Sequence, residues 1–281
     1  MIGVGAFVAG AVSTAVLWRG LRGPFARTEA LQRVNYRGHR LPVAAGLAVV
    51  LGTVVVQALY ALVERVGGID AAEAARGATV LGGATIGFAL IGLFDALAGD
   101  TAVKGFAGHL GALRRGEVTS GLVKLVGGVL FGVLAVSGDV VDSLRGGLLV
   151  AATANLANLF DRAPGRVVKV SLLGGVVVAA LGGLGWSLTG PLVVLGGGAA
   201  MLWPDLRERC MLGDTGANVL GAAVGWGLVV AVGSAGEWAA LVVVVLLNLV
   251  SERVSFTRVI DAVAPLRWFD RLGALPERRL R

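Results

Sequence analysis

The sequence predicts an all-α polytopic membrane protein from three observations: its composition, the lengths of its apolar runs and the placement of its basic residues. Hydrophobic residues make up 56% of the 281 residues and charged residues only 15%, and the mean hydropathy is +0.81. Soluble domains carry about 25% charged residues, so this composition excludes a water-soluble globular protein and a disordered chain. The single cysteine, Cys210, excludes a fold held by intramolecular disulfide bonds.

Nine apolar runs are candidate membrane-spanning helices, because a span needs about 20 mostly apolar residues. They lie at 2–18, 42–63, 79–98, 120–136, 141–160, 168–184, 188–203, 214–233 and 236–250. The 45 glycines predict close packing, since small residues let membrane helices approach one another. We therefore expect one integral membrane domain over 1–281, with helices in 1–250 and a cytoplasmic, amphipathic, basic tail at 251–281.

The basic residues predict the orientation of these spans. If successive helices alternate in direction, all but three of the 25 lysines and arginines fall on one side of the membrane, and the exceptions are Arg65, Arg76 and Arg145. Cytoplasmic loops carry the excess of lysine and arginine in membrane proteins. The N-terminus is therefore predicted outside and the C-terminus in the cytoplasm. Since the charges lie in short loops between apolar runs, a nucleic acid partner is not expected.

Three acidic residues at the predicted inner face are candidates for function. Asp95 ends the third span, Asp161 ends the fifth and Asp214 opens the eighth, and an acidic group in a bilayer costs about 2.5–3.5 kcal/mol at its centre. Asp214 lies in the segment 212–218 (Leu-Gly-Asp-Thr-Gly-Ala-Asn). One interpretation is a helix N-cap. The other is a carboxylate that holds Mg²⁺, beside glycines and a helix N-terminus that bind phosphate.

Two further segments carry polar residues at regular or clustered positions. Asn155, Asn158 and Asp161 recur every three residues, so they share one stripe of a helix. This stripe either forms part of a site or hydrogen-bonds neighbouring helices. In the loop 95–106, Lys104 either binds phosphate as a point charge or is an ordinary cytoplasmic lysine. The basic segment 35–42 recognises either an anionic lipid headgroup or a lipid-phosphate substrate.

Taken together, these segments resemble the polyprenyl-phosphate N-acetylhexosamine-1-phosphate transferases, the MraY/WecA superfamily. Segment 158–161 (Asn-Leu-Phe-Asp) is similar to the family's Asn-Leu-x-Asp, and 212–216 (Leu-Gly-Asp-Thr-Gly) to its Met-Gly-Asp-Thr-Gly. Segment 92–95 (Gly-Leu-Phe-Asp) resembles Gly-Phe-x-Asp-Asp, and Lys104-Gly105 matches a following Lys-Gly pair. The stretch 37–42 resembles the first cytoplasmic motif. These matches occur in the family's order from residue 35 to about residue 220.

The chain also departs from the family pattern. Ala96 replaces the second aspartate of the Asp-Asp pair, and Pro164 stands where a later aspartate is expected. The histidine-rich motif of the last cytoplasmic loop is missing from 252–281, and so is a tenth span. The resemblance is therefore to a divergent branch.

The resemblance implies an MraY-like helical bundle that transfers a sugar-1-phosphate from a UDP-activated amino sugar to a polyprenyl phosphate, releasing UMP, in cell-envelope glycan synthesis. The reaction would take place on the cytoplasmic side of the cell membrane. Whether the protein forms a homodimer is left open. Asp214 and Asn158 are expected to hold Mg²⁺, or Mn²⁺ in its place. The expected catalytic residues are Asp95, Lys104 and Asp161, and the expected substrate-binding residues are Arg37, Lys124, Asn155, Gly213, Thr215 and Arg166. Two alternatives stay open: a catalytically reduced relative that binds lipid phosphate or nucleotide, and a lipid transporter or flippase.

Overall fold

The computed structural model describes residues 1–66, 72–98, 105–136 and 138–276, and almost all of its regular structure is helical. The predicted all-α class is confirmed. The helices of the described residues are α1 (Ile2–Arg27), α2 (Leu47–Arg65), α3 (Ala72–Ala98), α4 (Gly105–Arg114), α5 (Ser120–Ala135), α6 (Val140–Phe160), α7 (Arg166–Gly182), α8 (Thr189–Leu206), α9 (Gly213–Ala231), α10 (Ser234–Ser251), α11 (Phe256–Ala262) and α12 (Ala264–Arg271). Two short strands, β1 (Gln32–Val34) and β2 (Arg40–Pro42), form an antiparallel hairpin.

Each of the nine predicted spans coincides with one helix, namely α1, α2, α3 and α5 to α10. Within the described residues, four helical segments are long and apolar enough to cross a membrane: Ile2–Arg27, Leu47–Arg65, Trp186–Leu206 and Ser234–Ser251. Two shorter apolar stretches lie at Gly82–Leu97 and Gly121–Ala135. The chain thus has the helices of a membrane protein, while the number of nine spans and their orientation stay predictions.

The first interhelical segment differs from the sequence prediction, which began the second span at residue 42. The hairpin fills 32–42 and α2 starts only at Leu47. Its turn is stabilised by Asn35, whose side-chain oxygen accepts hydrogen bonds from the backbone N–H groups of Arg37 and His39, both at 2.9 Å. Gly38 has a φ of +82°, a conformation that glycine adopts without steric cost. Strands of three residues are too short to show an alternating pattern in the sequence.

The centre of the bundle is α9, which packs against α3, α6, α7 and α8, while α1 packs along α8. The main buried cluster includes Trp18, Val49, Phe88, Val150, Leu195 and Leu220. By contrast, α10 exposes Val242, Leu246 and Leu249 by more than half of their surface. An exposed apolar face of this kind is typical of a surface in contact with lipid or with another protein.

Glycine allows α1 and α8 to approach until backbone meets backbone. A Cβ atom added to Gly10 would lie 1.9 Å from the carbonyl oxygen of Val193, and one added to Gly196 would lie 1.9 Å from the carbonyl oxygen of Phe7. These distances leave no room for a methyl group. The glycines at this contact therefore set the distance between the two helices, as is common for small residues in membrane helices.

We expect Gly10→Ala to lower the stability of the protein. The added methyl group forces α1 and α8 apart, and overpacking of this kind costs about 1–3 kcal/mol. Thermal unfolding in detergent measures the effect. Gly5→Ala, in the same helix, is the matched control, because its Cβ would meet nothing within 4 Å. Equal melting temperatures for the two variants would show that the α1–α8 contact is not close-packed.

Candidate functional site

Contacts between helix termini fall into two groups, one at each end of the bundle. At one end, the backbone N–H of Gly3 donates to the carbonyl of Leu184 at 3.1 Å, and the buried Arg145 Nε pairs with Glu237 Oε2 at 3.0 Å. The other end carries the last turns of α3 and α6 and the first turns of α5 and α9. The polar residues singled out in the sequence at Asp95, Asn158 and Asp214 lie there. We call this the inner end.

Lys124, near the start of α5, is the centre of the site. Its Nζ lies 3.0 Å from Asp95 Oδ2 and also forms an ion pair with the carboxylate of Asp214. The Asn158 amide completes the group in the orientation that satisfies both of its atoms. Its nitrogen then donates to Asp214 Oδ1 at 2.8 Å, and its oxygen accepts from Lys124 Nζ at 3.0 Å. We call Asp95, Lys124, Asn158 and Asp214 the inner polar cluster.

Two tight backbone contacts at glycine bring the segments around this cluster together. A Cβ on Gly92 would lie 2.5 Å from the backbone of Asp214, so α3 reaches α9 only with glycine at this position. Gly213 has a φ of +63°, and a Cβ there would lie 2.0 Å from the carbonyl oxygen of Val43. The glycines that flank both aspartates in the sequence thus have a packing role. They bring the two carboxylates to the same ammonium group.

The N-cap interpretation of Asp214 is wrong in this structure. The N-cap of α9 is Leu212, with no side-chain hydrogen bond, and Asp214 lies in the first turn of the helix. Its carboxylate turns to Lys124 and Asn158 instead. The first turn still favours a negative charge because of the helix dipole.

Asp161 lies beside the inner polar cluster, directly after α6. The backbone N–H of Gly213 donates a hydrogen bond to its carboxylate. Burial raises the pKa of Asp161 to about 7, and the negative charge of Asp214 adds to this effect, against the opposing influence of Arg162 and of the Gly213 N–H. Asp161 is therefore a group that can exchange a proton near neutral pH.

The predicted substrate-binding residues are distributed differently. Lys124 lies in the cluster, and Gly213 lies beside it. Asn155 is one turn from Asn158 but bonds α10, since its Nδ2 donates to Asn248 Oδ1 at 2.7 Å. For Asn155, helix bonding is thus the observed role. Thr215 is fully buried, and its hydroxyl has no hydrogen-bond partner within the described part of the chain.

Arg37 and Arg166 have protein partners away from the cluster. The guanidinium of Arg37 pairs with Glu208 Oε1 at 2.7 Å. Arg166 forms two hydrogen bonds with Asp270, at 2.6 and 2.8 Å. Both arginines therefore anchor protein segments in this structure. The predicted catalytic Lys104 lies outside the described residues.

Sequence reasoning missed one buried acid, Asp205. Its side chain is 4% exposed, and Oδ2 accepts a hydrogen bond from the backbone N–H of Gly165 at 2.7 Å. This contact holds the turn between α6 and α7 against the end of α8. The signal was present in the sequence, since Asp205 follows an apolar run at the inner end, as Asp95 and Asp161 do.

The oxygen atoms around Lys124 are of the kinds that ligate a hard divalent cation, and the ammonium of Lys124 lies between them. Asp95 and Asp214 offer carboxylate oxygens and Asn158 offers an amide oxygen, and such oxygens are ligands that Mg²⁺ takes. All three residues converge on a positive charge, the ammonium of Lys124. Among the described residues, no group of three or more Asp, Glu, His or Cys side chains could hold a metal ion. The described residues therefore offer at most two carboxylates and an amide at this point.

The pKa of Asp161 predicts how stability depends on pH. Its folded value of about 7 lies above its ordinary value of 3.8, so the folded protein holds this proton more tightly than the unfolded chain does. The associated stability is fully present below the ordinary value and is lost as pH rises through about 7. We expect the melting temperature to fall more for the wild type than for Asp161→Asn between about pH 5 and pH 8. Parallel curves would contradict the raised pKa.

Comparison with known proteins does not assign the chain to a family. No protein-family model matches the chain, and a search of curated proteins gives no match either. The similarity to the sugar-phosphate transferases therefore depends on the motif residues themselves, and the activity it implies is a proposal.

Proposed function

We propose that the protein transfers a sugar-1-phosphate from a UDP-sugar to a polyprenyl phosphate at the cytoplasmic membrane face. The observation that supports this proposal is the inner polar cluster: two carboxylates, an amide and an ammonium group at the ends of four helices. Phosphoryl transfer needs positioning and charge neutralisation more than covalent chemistry by the protein. A cluster of this composition supplies both.

In the proposed reaction, an oxygen of the lipid phosphate attacks the β-phosphorus of the UDP-sugar. A new phosphorus–oxygen bond forms, the bond from this phosphorus to the bridging oxygen breaks, and UMP leaves with that oxygen. Asp95 orients the lipid phosphate or takes its proton, and Lys124 presents its positive charge to phosphate. Asp214 and Asn158 would hold Mg²⁺, whose positive charge would neutralise the diphosphate. Asp161, with its pKa near 7, contacts the nucleotide or the ligands of the metal.

A second candidate is a binding protein for lipid phosphate or nucleotide that performs no transfer. Two observations favour it. Lys124 already pairs with both carboxylates, and Ala96 replaces the second acid of the family pattern. Labelled polyprenyl phosphate incubated with a panel of UDP-sugars, with and without Mg²⁺, separates the candidates. Product formation supports the transferase, retention of lipid without product supports the binding protein, and movement across vesicles without modification supports a transporter.

We expect Asn158→Ala to reduce Mg²⁺-dependent exchange of UMP with the UDP-sugar by about 100-fold, in the range seen when one charge-stabilising group is removed from an active site. The reason is that Asn158 orients Asp214 and supplies an oxygen to the cation. Exchange is measured with labelled UMP in detergent over a series of Mg²⁺ concentrations.

Asn155→Ala is the matched control for this variant. It removes the same side chain from the same stripe of α6, where Asn155 bonds Asn248. It is expected to lower the melting temperature while keeping the exchange rate of the folded protein. Equal loss of activity in both variants would remove Asn158 from the proposed metal site.

The proposed orientation has nine spans, with the N-terminus outside and the inner polar cluster at the cytoplasm. In a Cys210→Ser background, Arg162→Cys and Gly185→Cys place single thiols at exposed positions on either side of α7. We expect a membrane-impermeant maleimide to label the thiol at 185, and not that at 162, on intact cells. Permeabilised cells, in which both thiols react, are the control. The reverse labelling pattern would invert the topology and place the cluster outside.

A further inference from the structure

The C-terminal segment 256–276, which contains α11 and α12, crosses the inner end of the bundle as a strap. It contacts the end of α6, the start of α7 and the turn of the β1–β2 hairpin. Phe256 stacks on Phe160 at the end of α6, with ring centroids 5.0 Å apart. Asp270 pairs with Arg166 at the start of α7. The carbonyls of Leu275 and Pro276 accept hydrogen bonds from Arg37 at 3.1 and 2.9 Å. We call this segment the C-terminal strap.

One face of α12 is held firmly against the bundle. Asp270 and Arg166 are 11% and 5% exposed, and they form two charge-assisted hydrogen bonds. Lys169 donates to the backbone carbonyls of Phe269, Asp270 and Leu272 at 3.0, 2.6 and 2.8 Å. A lysine that binds the last carbonyls of a helix satisfies groups that the helix leaves open. The rotation of α12 about its own axis is therefore fixed.

The opposite face of α12 points away from the protein and combines apolar and basic side chains. An open hollow of about 460 Å³ there is lined by Ala264, Arg267, Trp268, Arg271, Leu272 and Gly273. Trp268 is 67% exposed and Leu272 is 51% exposed. The acid on α12, Asp270, is turned inward to Arg166. The outward face presents the ring of Trp268 between two guanidinium groups, and both of these also contact Asp261 of α11: Arg271 pairs with its carboxylate at 3.6 Å, and Arg267 donates to its backbone carbonyl at 2.7 Å.

Along the bundle, α12 lies at the level of the last turns of α8. Gly273 lies against Leu206, the last residue of α8. In the same last turns of α8, the exposed Trp203 carries the guanidinium of Arg207 over its ring, 4.1 Å from the centroid. Tryptophan is enriched where membrane helices meet the headgroup region. Trp203 and Trp268 thus occur at the same end of the apolar helices.

We propose that the outward face of α12 binds the headgroups of anionic phospholipids. Trp268 and Leu272 would lie at the boundary of the acyl chains, and Arg267 and Arg271 would contact the phosphate. This arrangement removes the exposed apolar surface from water and places positive charge next to negative headgroups, which is how amphipathic interfacial helices bind membranes. The proposal is independent of the proposed transferase reaction, because α12 lies outside the inner polar cluster.

The full-length protein in vesicles of phosphatidylcholine and phosphatidylglycerol provides the test. In one preparation only the phosphatidylcholine carries bromine on its acyl chains, and in the other only the phosphatidylglycerol does. Bromine quenches nearby tryptophan, and the difference between wild type and Trp268→Phe isolates the signal of this residue. We expect brominated phosphatidylglycerol to quench Trp268 more strongly, with a lipid preference of about fivefold for each arginine near an anionic surface.

Two double variants with the same change in charge locate the contact. Arg267→Gln with Arg271→Gln should abolish the preference for phosphatidylglycerol, whereas Arg253→Gln with Arg258→Gln should retain it, since these exposed arginines lie outside the hollow. The proposal is overturned if neither lipid quenches Trp268, if both quench it equally in the wild type, or if the control pair loses the preference to the same extent. Relief of the preference by inorganic phosphate in the buffer would overturn it too, because the ligand would then be a free anion.

Discussion

The ammonium group of Lys124 between Asp95 and Asp214 is the interaction on which the inner end depends. Two carboxylates at the ends of apolar helices repel each other and lose hydration, and both effects are unfavourable unless a cation compensates them. Lys124 comes from α5, Asp95 from α3 and Asp214 from α9, and Asn158 adds α6. One positive charge therefore relates four helices to one another. Removal of that charge would leave the two acids uncompensated at the same point.

This constraint explains why glycine accompanies the acids in the sequence. Charged groups can meet at one ammonium only if the helices that carry them approach closely. Gly92 lets α3 touch the backbone of Asp214, and Gly213 lets the start of α9 touch the carbonyl of Val43. Ionic attraction and small-residue packing therefore act at the same place. The motif residues of the sequence serve the fold as well as any chemistry.

The sequence predicted the helix positions, because the length of an apolar run is a local property. It predicted the acids at one end, because successive spans were taken to alternate in direction. Spacing alone could not distinguish Asn158 from Asn155, to which only the motif resemblance gave different roles. Both lie on one stripe of α6, yet the neighbouring helices make one a partner of Asp214 and the other a partner of Asn248. Likewise, Arg166 and Asp270 are far apart in the chain, so no local pattern reveals their pairing. The hairpin at 32–42 was missed because its turn depends on Asn35 and Gly38 rather than on periodicity.

The basic residues of the inner end fall into two populations with different physical roles. Arg37, Arg166 and Lys169 are neutralised or capped by protein groups, largely those of the C-terminal strap. Arg267 and Arg271 lie on the strap itself and are exposed. The strap thus binds Arg166 and Lys169 of the bundle and exposes Arg267 and Arg271 of its own. The net charge of the chain does not tell a buried arginine that holds two segments together from an exposed arginine that is available to an anionic ligand. On α12 itself, Asp270 points to the inner side and the arginines to the outer side, where Asp261 of α11 contacts both of them.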